Sequence, residues 1–270
     1  MSIEDNVATE LLGARDSVGL LVRPSMHIDG FDLERGYAVG NRLRERLQSE
    51  RGWRPVGRKI GFTNRATWIE FGLQTPIWAP MYRETVHHSD DGSTELSIAS
   101  FVAPRIEPEV VVRLADDLPV GPLPVEDIAG RLEWIAIGLE IVDCHYADWQ
   151  FTAAEAVADF GVHAALVIGP QWPVQNEDDI GHVVEMLPSM QVSMFCDDVL
   201  VAEGEGRNAL GSPLLALAHL AQVPNAPPLQ AGQTITTGTL TPLPYIHAGQ
   251  RWRVEVRGGP LLPLKLSLSR

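Results

Sequence analysis

The sequence predicts an α+β protein in which a mainly helical N-terminal region, residues 1–80, packs on a rolled or barrel-like sheet domain, residues 81–270. Three observations predict it. Helical periodicity is concentrated in the first part of the chain, and strand-like runs of β-branched and aliphatic residues dominate after residue 80. No low-complexity linker separates the two parts, so they are expected to pack against each other.

Ser2 and Asp5 have the spacing of a capping box and open a first helix. Asp32 caps a second, whose apolar side carries Tyr37, Val39, Leu43 and Leu47, and Gly30 and Gly52 bracket it. "PVGRKIGFTN" then reads as a short strand, "RATWIEFGL" as a helix and "QTPIWAPMY" as a Pro-punctuated connection. Beyond residue 80, "ELSIASFV", "RIEPEVVVRL", "EWIAIGLEIV" and "HAALVIG" read as strands, and "QVSMFCDDVLVAEG" as a hairpin turning at Asp197 and Asp198. Ser212 and Pro213 start a helix over "PLLALAHLA". Ala-Gly-Gln, at 231–233 and again at 248–250, marks a turn before each of two further strands.

A chain of 270 residues with 45% hydrophobic content can build a sizeable core. Its 35 acidic and 21 basic residues give a formal charge of -14, which opposes non-specific binding to nucleic acid or to an anionic membrane. The most apolar run, "PLLALAHLAQV", is too short to span a bilayer and contains His219. Cys144 and Cys196 stand far apart without CxxC spacing, and "MSIEDNVATE" has no signal-peptide character, so a reducing cytoplasm is the expected location.

In "RIEPEVVVRL" the strand period of two puts Glu107, Glu109 and Val111 on one face. Two carboxylates side by side repel, and burial raises their cost, so either that face is wet or something positive belongs there. Glu140 lies inside an otherwise apolar strand and shares a face with Gly138 and Ala136, whose small side chains leave room around it. If the two strands are neighbours, three glutamates converge into the oxygen-only, anionic set preferred by hard cations such as Mg2+. The competing reading is a pair of solvated glutamates and an unrelated third.

Lys59, among apolar residues, either pairs with an anionic substrate or covers a sheet edge with its stem. Asp143, His145 and Asp148 form a polar group after Glu140 that fits strand-end hydrogen bonding. Asp159 and His163 flank a glycine where an active-site loop can sit, although a single histidine there is more often structural. Thr239, among the hydroxyls of "TTGTLTPLPY", can reach a substrate carboxylate or simply close a strand-end turn. "GEGRNALGSPL" follows a hairpin and not the first strand of a βαβ unit, which excludes a dinucleotide fingerprint. With no G-x-S-x-G elbow and no cysteine in a nucleophile motif, covalent catalysis is disfavoured.

Together, "GRKIGFTN", "RIEPEVVV", "GLEIVDCHYADW", "VADF", "GEGRNALGSPLLALAHLA" and "AGQTITTGTLTP" resemble the 2-oxopent-4-enoate hydratase and 4-oxalocrotonate decarboxylase group of the fumarylacetoacetate hydrolase superfamily. The resemblance runs from about residue 30 to the C-terminus. It implies a mixed β-roll core, a bound Mg2+ or Mn2+, a homo-oligomer, and a small 2-oxo acid or its dienol from aromatic-compound catabolism as substrate. By motif position it makes Glu107, Glu109 and Glu140 the metal ligands and Lys59 the active-site lysine.

The reaction it implies is hydration of a 2-hydroxy-2,4-dienoate; the same chelate would serve a decarboxylase, an acylpyruvate C–C hydrolase or a non-catalytic oxo-acid binder. One departure stands out. Where the hydratases read Pro-Asp-Phe/Tyr-Gly, this chain has Pro76, Ile77, Trp78 and Ala79, so an aspartate expected to move protons is missing. Bound water, Asp159 or, failing these, His163 is the expected replacement, with Thr239 and His163 as substrate contacts.

Overall fold

The computed structural model describes residues 2–224 and 226–270. The chain opens with α1 (Ile3–Ser17) and α2 (Leu33–Arg51), followed by β1 (Pro55–Gly61), the single-turn α3 (Trp68–Phe71), β2 (Ile77–Tyr82), β3 (Val86–His88) and β4 (Ser93–Ser97). Next come β5 (Pro104–Leu114), α4 (Val125–Ala129), β6 (Leu132–Asp143), α5 (Ala153–Ala158), β7 (His163–Ile168) and β8 (Trp172–Pro173). The remainder is α6 (Glu177–Ser189), β9 (Gln191–Cys196), β10 (Val199–Glu205), α7 (Pro213–Leu220), β11 (Thr234–Thr239), β12 (Arg251–Arg257) and β13 (Leu264–Ser269).

Local chemistry accounts for the helix ends. Ser2 accepts from the Asp5 amide while the Asp5 carboxylate accepts from Ser2, and Asp32 caps α2 by accepting from the Arg35 amide. α2 stops at Gly52 in a left-handed conformation, after burying Val39, Leu43 and Leu47. The β9–β10 hairpin turns at Asp197 and Asp198, both with positive φ, as a two-residue type I′ connection demands. Three helices go beyond the sequence reading: the short α4, α5 and α6. α5 starts at a Thr152/Glu155 capping box; α6 starts at an Asn176/Asp179 box and buries Val183, Met186 and Leu187 at helical spacing.

Two sheets form the body. An eight-stranded mixed sheet runs β2-β1-β11-β5-β6-β7-β3, with β8 added to β6; a five-stranded sheet runs β10-β9-β12-β13-β4. The main core lies between them, built from residues such as Ile137, Val167, Val254 and Leu264 and closed by α6 and α7. A second core joins Leu11, Leu43 and Leu47 of α1 and α2 to Val142, Tyr146 and Phe160. The division at residue 80 needs correction, because it cuts through β2 and leaves β1 on the wrong side. Both strands belong to the large sheet: β1 pairs in parallel with β11, nearly two hundred residues away, and backbone pairing overrides the composition change.

Candidate active site

β5 and β6 are the longest strands of the chain, and their antiparallel register sets Glu107 opposite Glu140 and Glu109 opposite Gly138. The three glutamates therefore meet on one face, each offering a carboxylate oxygen within 4.8 Å of the others. Glu109 and Glu140 are fully buried, and Glu107 is 9% exposed. Gly138 is small for a different reason than the sequence suggested: a Cβ there would lie 2.5 Å from Val111, so packing between the strands consumes the space.

β11 borders Glu109 on its other side. A register shift between Thr236 and Thr239 breaks regular pairing, and the freed Gly238 amide donates to Glu109 Oε2 at 2.7 Å. Gly238 has φ +97°, and a Cβ at that position would come within 2.0 Å of the Thr63 hydroxyl. Gly238→Ala is thus expected to cost about 1–3 kcal/mol of stability and to displace Glu109. Urea denaturation checks the first effect, and cation titration of the folded fraction checks the second.

Lys59 on β1 is 3% exposed. Its ammonium donates to the Gly161 carbonyl at 3.0 Å and lies 3.2 Å from Glu140 Oε2. Burial disfavours the charge, yet Glu140, Glu107 and Glu109 together hold the lysine above its ordinary pKa. The glutamates respond unequally. Burial pushes Glu107 up to about 7 and Glu109 well above its usual value, while Glu140, also buried, is held at about 2 by Lys59 and His163. Glu109 Oε1 and Glu140 Oε2 are buried without a hydrogen bond. A carboxylate cluster in which Glu109 Oε1 has no partner among the described residues, and Glu140 Oε2 has only the Lys59 ammonium at 3.2 Å, fits a hard divalent cation.

His163 does not line the cavity as expected of a substrate contact. Its Nδ1 donates to Glu140 Oε1 at 2.7 Å, since an ionised carboxylate can only accept, and its Nε2 meets the Thr85 hydroxyl at 2.9 Å. Burial lowers its pKa despite Glu140, so it stays neutral near pH 7 and orients the carboxylate. Asp159 is likewise placed away from the cavity. It is fully buried between Arg15 (2.6 Å) and His145 Nδ1 (2.7 Å), and these outweigh burial to hold its pKa low. The turn after α5 presents the backbone of Gly161 and Val162 to the site instead. Asp143 accepts from the Val102 and Ala103 amides, in keeping with a strand-end role.

A cavity of about 1070 Å3 opens beside Lys59, Glu107 and Glu109. Thr239 is on its wall, with its hydroxyl donating to the Thr241 carbonyl at 2.9 Å. Ile77 contributes an apolar patch, and Phe62, Phe71 and Phe151 extend it. Phe62, Asp148, Trp149, Val162 and Leu210 all line this cavity with positive φ, a concentration of backbone strain at one site.

Sequence reasoning missed Arg105, which also lines the cavity. The signal was present, because residues 105, 107 and 109 alternate onto the same face of one strand. It missed Trp149 as well, whose place on the wall follows from the left-handed turn at Asp148 and Trp149.

The fumarylacetoacetate hydrolase C-terminal family model matches residues 75–263. The chain is 31% identical over 229 residues to 2-keto-4-pentenoate hydratase 1 of Dechloromonas aromatica strain RCB, covering 84% of this chain and 83% of that protein. It is also 31% identical over 210 residues to a 4-oxalocrotonate decarboxylase of a Pseudomonas species, covering 77% of each. Among solved structures it resembles the 4-oxalocrotonate decarboxylase of Pseudomonas putida G7, in complex with magnesium and adipate, with a TM-score of 0.87 over 98% of this chain and 97% of that one; the identity of 22% makes this a likeness of fold. From the matched family model and the sequence relatives together, the chain belongs to the fumarylacetoacetate hydrolase family, in its group of 2-keto-4-pentenoate hydratases and 4-oxalocrotonate decarboxylases.

Proposed function

We propose that the protein is a divalent-metal-dependent hydratase that adds water to a 2-hydroxy-2,4-dienoate, in its 2-oxo-enoate form, with Glu107, Glu109 and Glu140 holding Mg2+ or Mn2+. The observation that carries this reading is the buried glutamate trio, with Glu109 Oε1 unpartnered, beside a cavity and a buried lysine. The hydratase relatives, and the magnesium in the Pseudomonas putida G7 structure, support the same assignment. A homo-oligomer acting on a small 2-oxo acid is part of the proposal.

When bound, the cation supplies a Lewis acid for the oxygens of the 2-oxo acid group. The chain's own residues supply the rest. Lys59, kept cationic by the glutamates and aimed by the Gly161 carbonyl, offers N–H donors to the anionic oxygen of the enol. His163 keeps Glu140 ionised and fixed. Phe62, Phe71, Phe151 and Ile77 enclose the diene and limit the water that reaches it. The enol O–H proton leaves as the terminal carbon gains one, giving the 2-oxo-3-enoate. Water then adds hydroxyl at C4 and hydrogen at C3, and the product is the 4-hydroxy-2-oxo acid. With Ile77 apolar and Asp159 locked to Arg15, ordered water beside Lys59 carries the proton.

The test is loss of dienol ultraviolet absorbance for 2-hydroxypenta-2,4-dienoate and for its dicarboxylate 2-hydroxyhexa-2,4-dienedioate, with Mg2+ and with excess chelator, products identified by mass. Metal-dependent gain of one water by either compound is expected. Turnover unaffected by chelator would defeat the metal assignment, and loss of CO2 without added water would replace hydration by decarboxylation.

A pH prediction follows from the glutamates. Glu107 has a folded pKa of about 7 against an ordinary 4.5. Between those values the unfolded chain has released a proton that the folded one keeps, so metal-free stability falls as pH rises through this window, and Glu109, raised in the same direction, adds to the fall. Mg2+ needs the ionised carboxylates and should bind more tightly as pH rises, releasing protons. Thermal melts from pH 4.5 to 8 should therefore decline in EDTA and recover with Mg2+ at the upper end. Parallel curves with and without the cation would contradict this.

A further inference from the structure

We propose that Thr85 is a positioning residue for the glutamate cluster: its hydroxyl sets the tautomer and orientation of the His163 ring, and the ring in turn sets Glu140. This rests on the reading in which Glu140 is a metal ligand. Thr85 is half-buried at the end of the single turn Arg83–Thr85, between β2 and β3. Neither Thr85 nor His163 lines the cavity, so the pair acts from behind the site.

An unbroken series of polar contacts runs from this turn to Lys59. Thr85 Oγ1 lies 2.9 Å from His163 Nε2, and His163 Nδ1 lies 2.7 Å from Glu140 Oε1. Glu140 Oε2 lies 3.2 Å from the Lys59 ammonium, which donates to the Gly161 carbonyl at 3.0 Å. Strand pairing brings the members together. β3 joins β7 in parallel, with Val86 opposite Leu166, and this carries Thr85 to the start of β7. A register shift between Ile141 and Val142 sets His163 opposite Val142, two residues along β6 from Glu140.

The hydroxyl decides which ring nitrogen carries hydrogen. Thr85 Oγ1 has one proton and two acceptors in reach, His163 Nε2 and the Tyr82 carbonyl at 3.1 Å. Given to Nε2, the proton satisfies that nitrogen, and Nδ1 keeps its hydrogen for the carboxylate. Given to Tyr82, it would leave the oxygen as an acceptor for Nε2–H, and a neutral ring would then set its Nδ1 lone pair against Glu140 Oε1. The short Nδ1 to Oε1 contact fits the first arrangement.

Among the described residues Thr85 is the one hydrogen-bond partner of Nε2. Without its hydroxyl nothing on that side selects the tautomer or the flip of the ring. Glu140 would then lose the donor that opposes Lys59, and a ligand held from one side only is less well oriented for a cation.

The test is calorimetric titration with Mg2+ of wild type, Thr85→Val, Thr85→Ser, His163→Leu and the double variant Thr85→Val/His163→Leu, with melts in EDTA to show that each is folded. Thr85→Val keeps the shape without the hydroxyl and should bind Mg2+ about 10- to 100-fold more weakly. Thr85→Ser keeps the hydroxyl and should bind as wild type does. In the His163→Leu background Thr85→Val should change the affinity no further, because the group it acts through is gone.

Equal Mg2+ affinity in wild type and in folded Thr85→Val overturns the role of Thr85 alone. A loss that Thr85→Ser shares, or that recurs in full in the His163→Leu background, makes Thr85 a packing residue and overturns the proposal. Absence of Mg2+ binding by wild type overturns the metal reading and this inference with it. Should Thr85→Val fail to fold, Thr85→Ala takes its place; should the His163→Leu background fail, the contrast with Thr85→Ser still decides.

Discussion

Glu109→Gln is expected to weaken Mg2+ binding by more than about 100-fold, because the loss of a ligand should exceed the 10- to 100-fold typical of losing a group that merely orients one. Turnover should fall with the affinity. The fold should survive, since glutamine retains an oxygen for the Gly238 amide that now donates to Glu109 Oε2. The substitution also removes a carboxyl whose ionisation burial and the neighbouring glutamates oppose. Metal-free Glu109→Gln should therefore melt higher than metal-free wild type at pH 8, while wild type alone gains from added Mg2+. Calorimetric titration and melts in EDTA check both. Unchanged Mg2+ affinity in the variant would sink the ligand assignment.

Arg15→Met is expected to destabilise the protein by about 3–5 kcal/mol, the range for breaking a buried ion pair from one side. Arg15 reaches from α1 to Asp159 at 2.6 Å, to the Asp159 carbonyl at 3.2 Å and to the His163 carbonyl at 3.5 Å, so it ties the N-terminal helix to the segment behind the glutamates. Without it Asp159 is a buried carboxylate supported by His145 alone. Asp159→Asn in the same chain should recover part of the loss, and urea denaturation of the two single variants and the double variant measures the coupling. A loss below 1 kcal/mol would mean that the pair contributes little to holding α1 in place.

Much of the local structure was legible because its causes are local. The Ser2/Asp5 cap, the apolar side of α2 and the turn at Asp197 and Asp198 each depend on residues a few positions apart. Glu107 and Glu109 on one face needed only the strand period, and the same reasoning would have added Arg105. α5 and α6 escaped notice although their capping boxes are plain in the sequence. Their neighbouring strands carry stronger apolar runs, and short helices between strands are easily taken for loops.

By itself the sequence determined which chemistry the chain can hold: carboxylates on alternate positions of one strand, one buried-strand glutamate, a lysine among apolar residues, and a motif order shared with a hydratase and decarboxylase family. Tertiary structure alone decided which of these groups meet. Glu140 reaches Glu107 through a β5–β6 register that pairs residues 33 positions apart, and Lys59 reaches Glu140 because β1 joins the far strand β11. Asp159 and His163 show the same limit from the other side. Both flank the buried turn between α5 and β7, yet Arg15 and Glu140 draw them into buried pairs, and pairing of charges across the fold leaves no trace in local sequence.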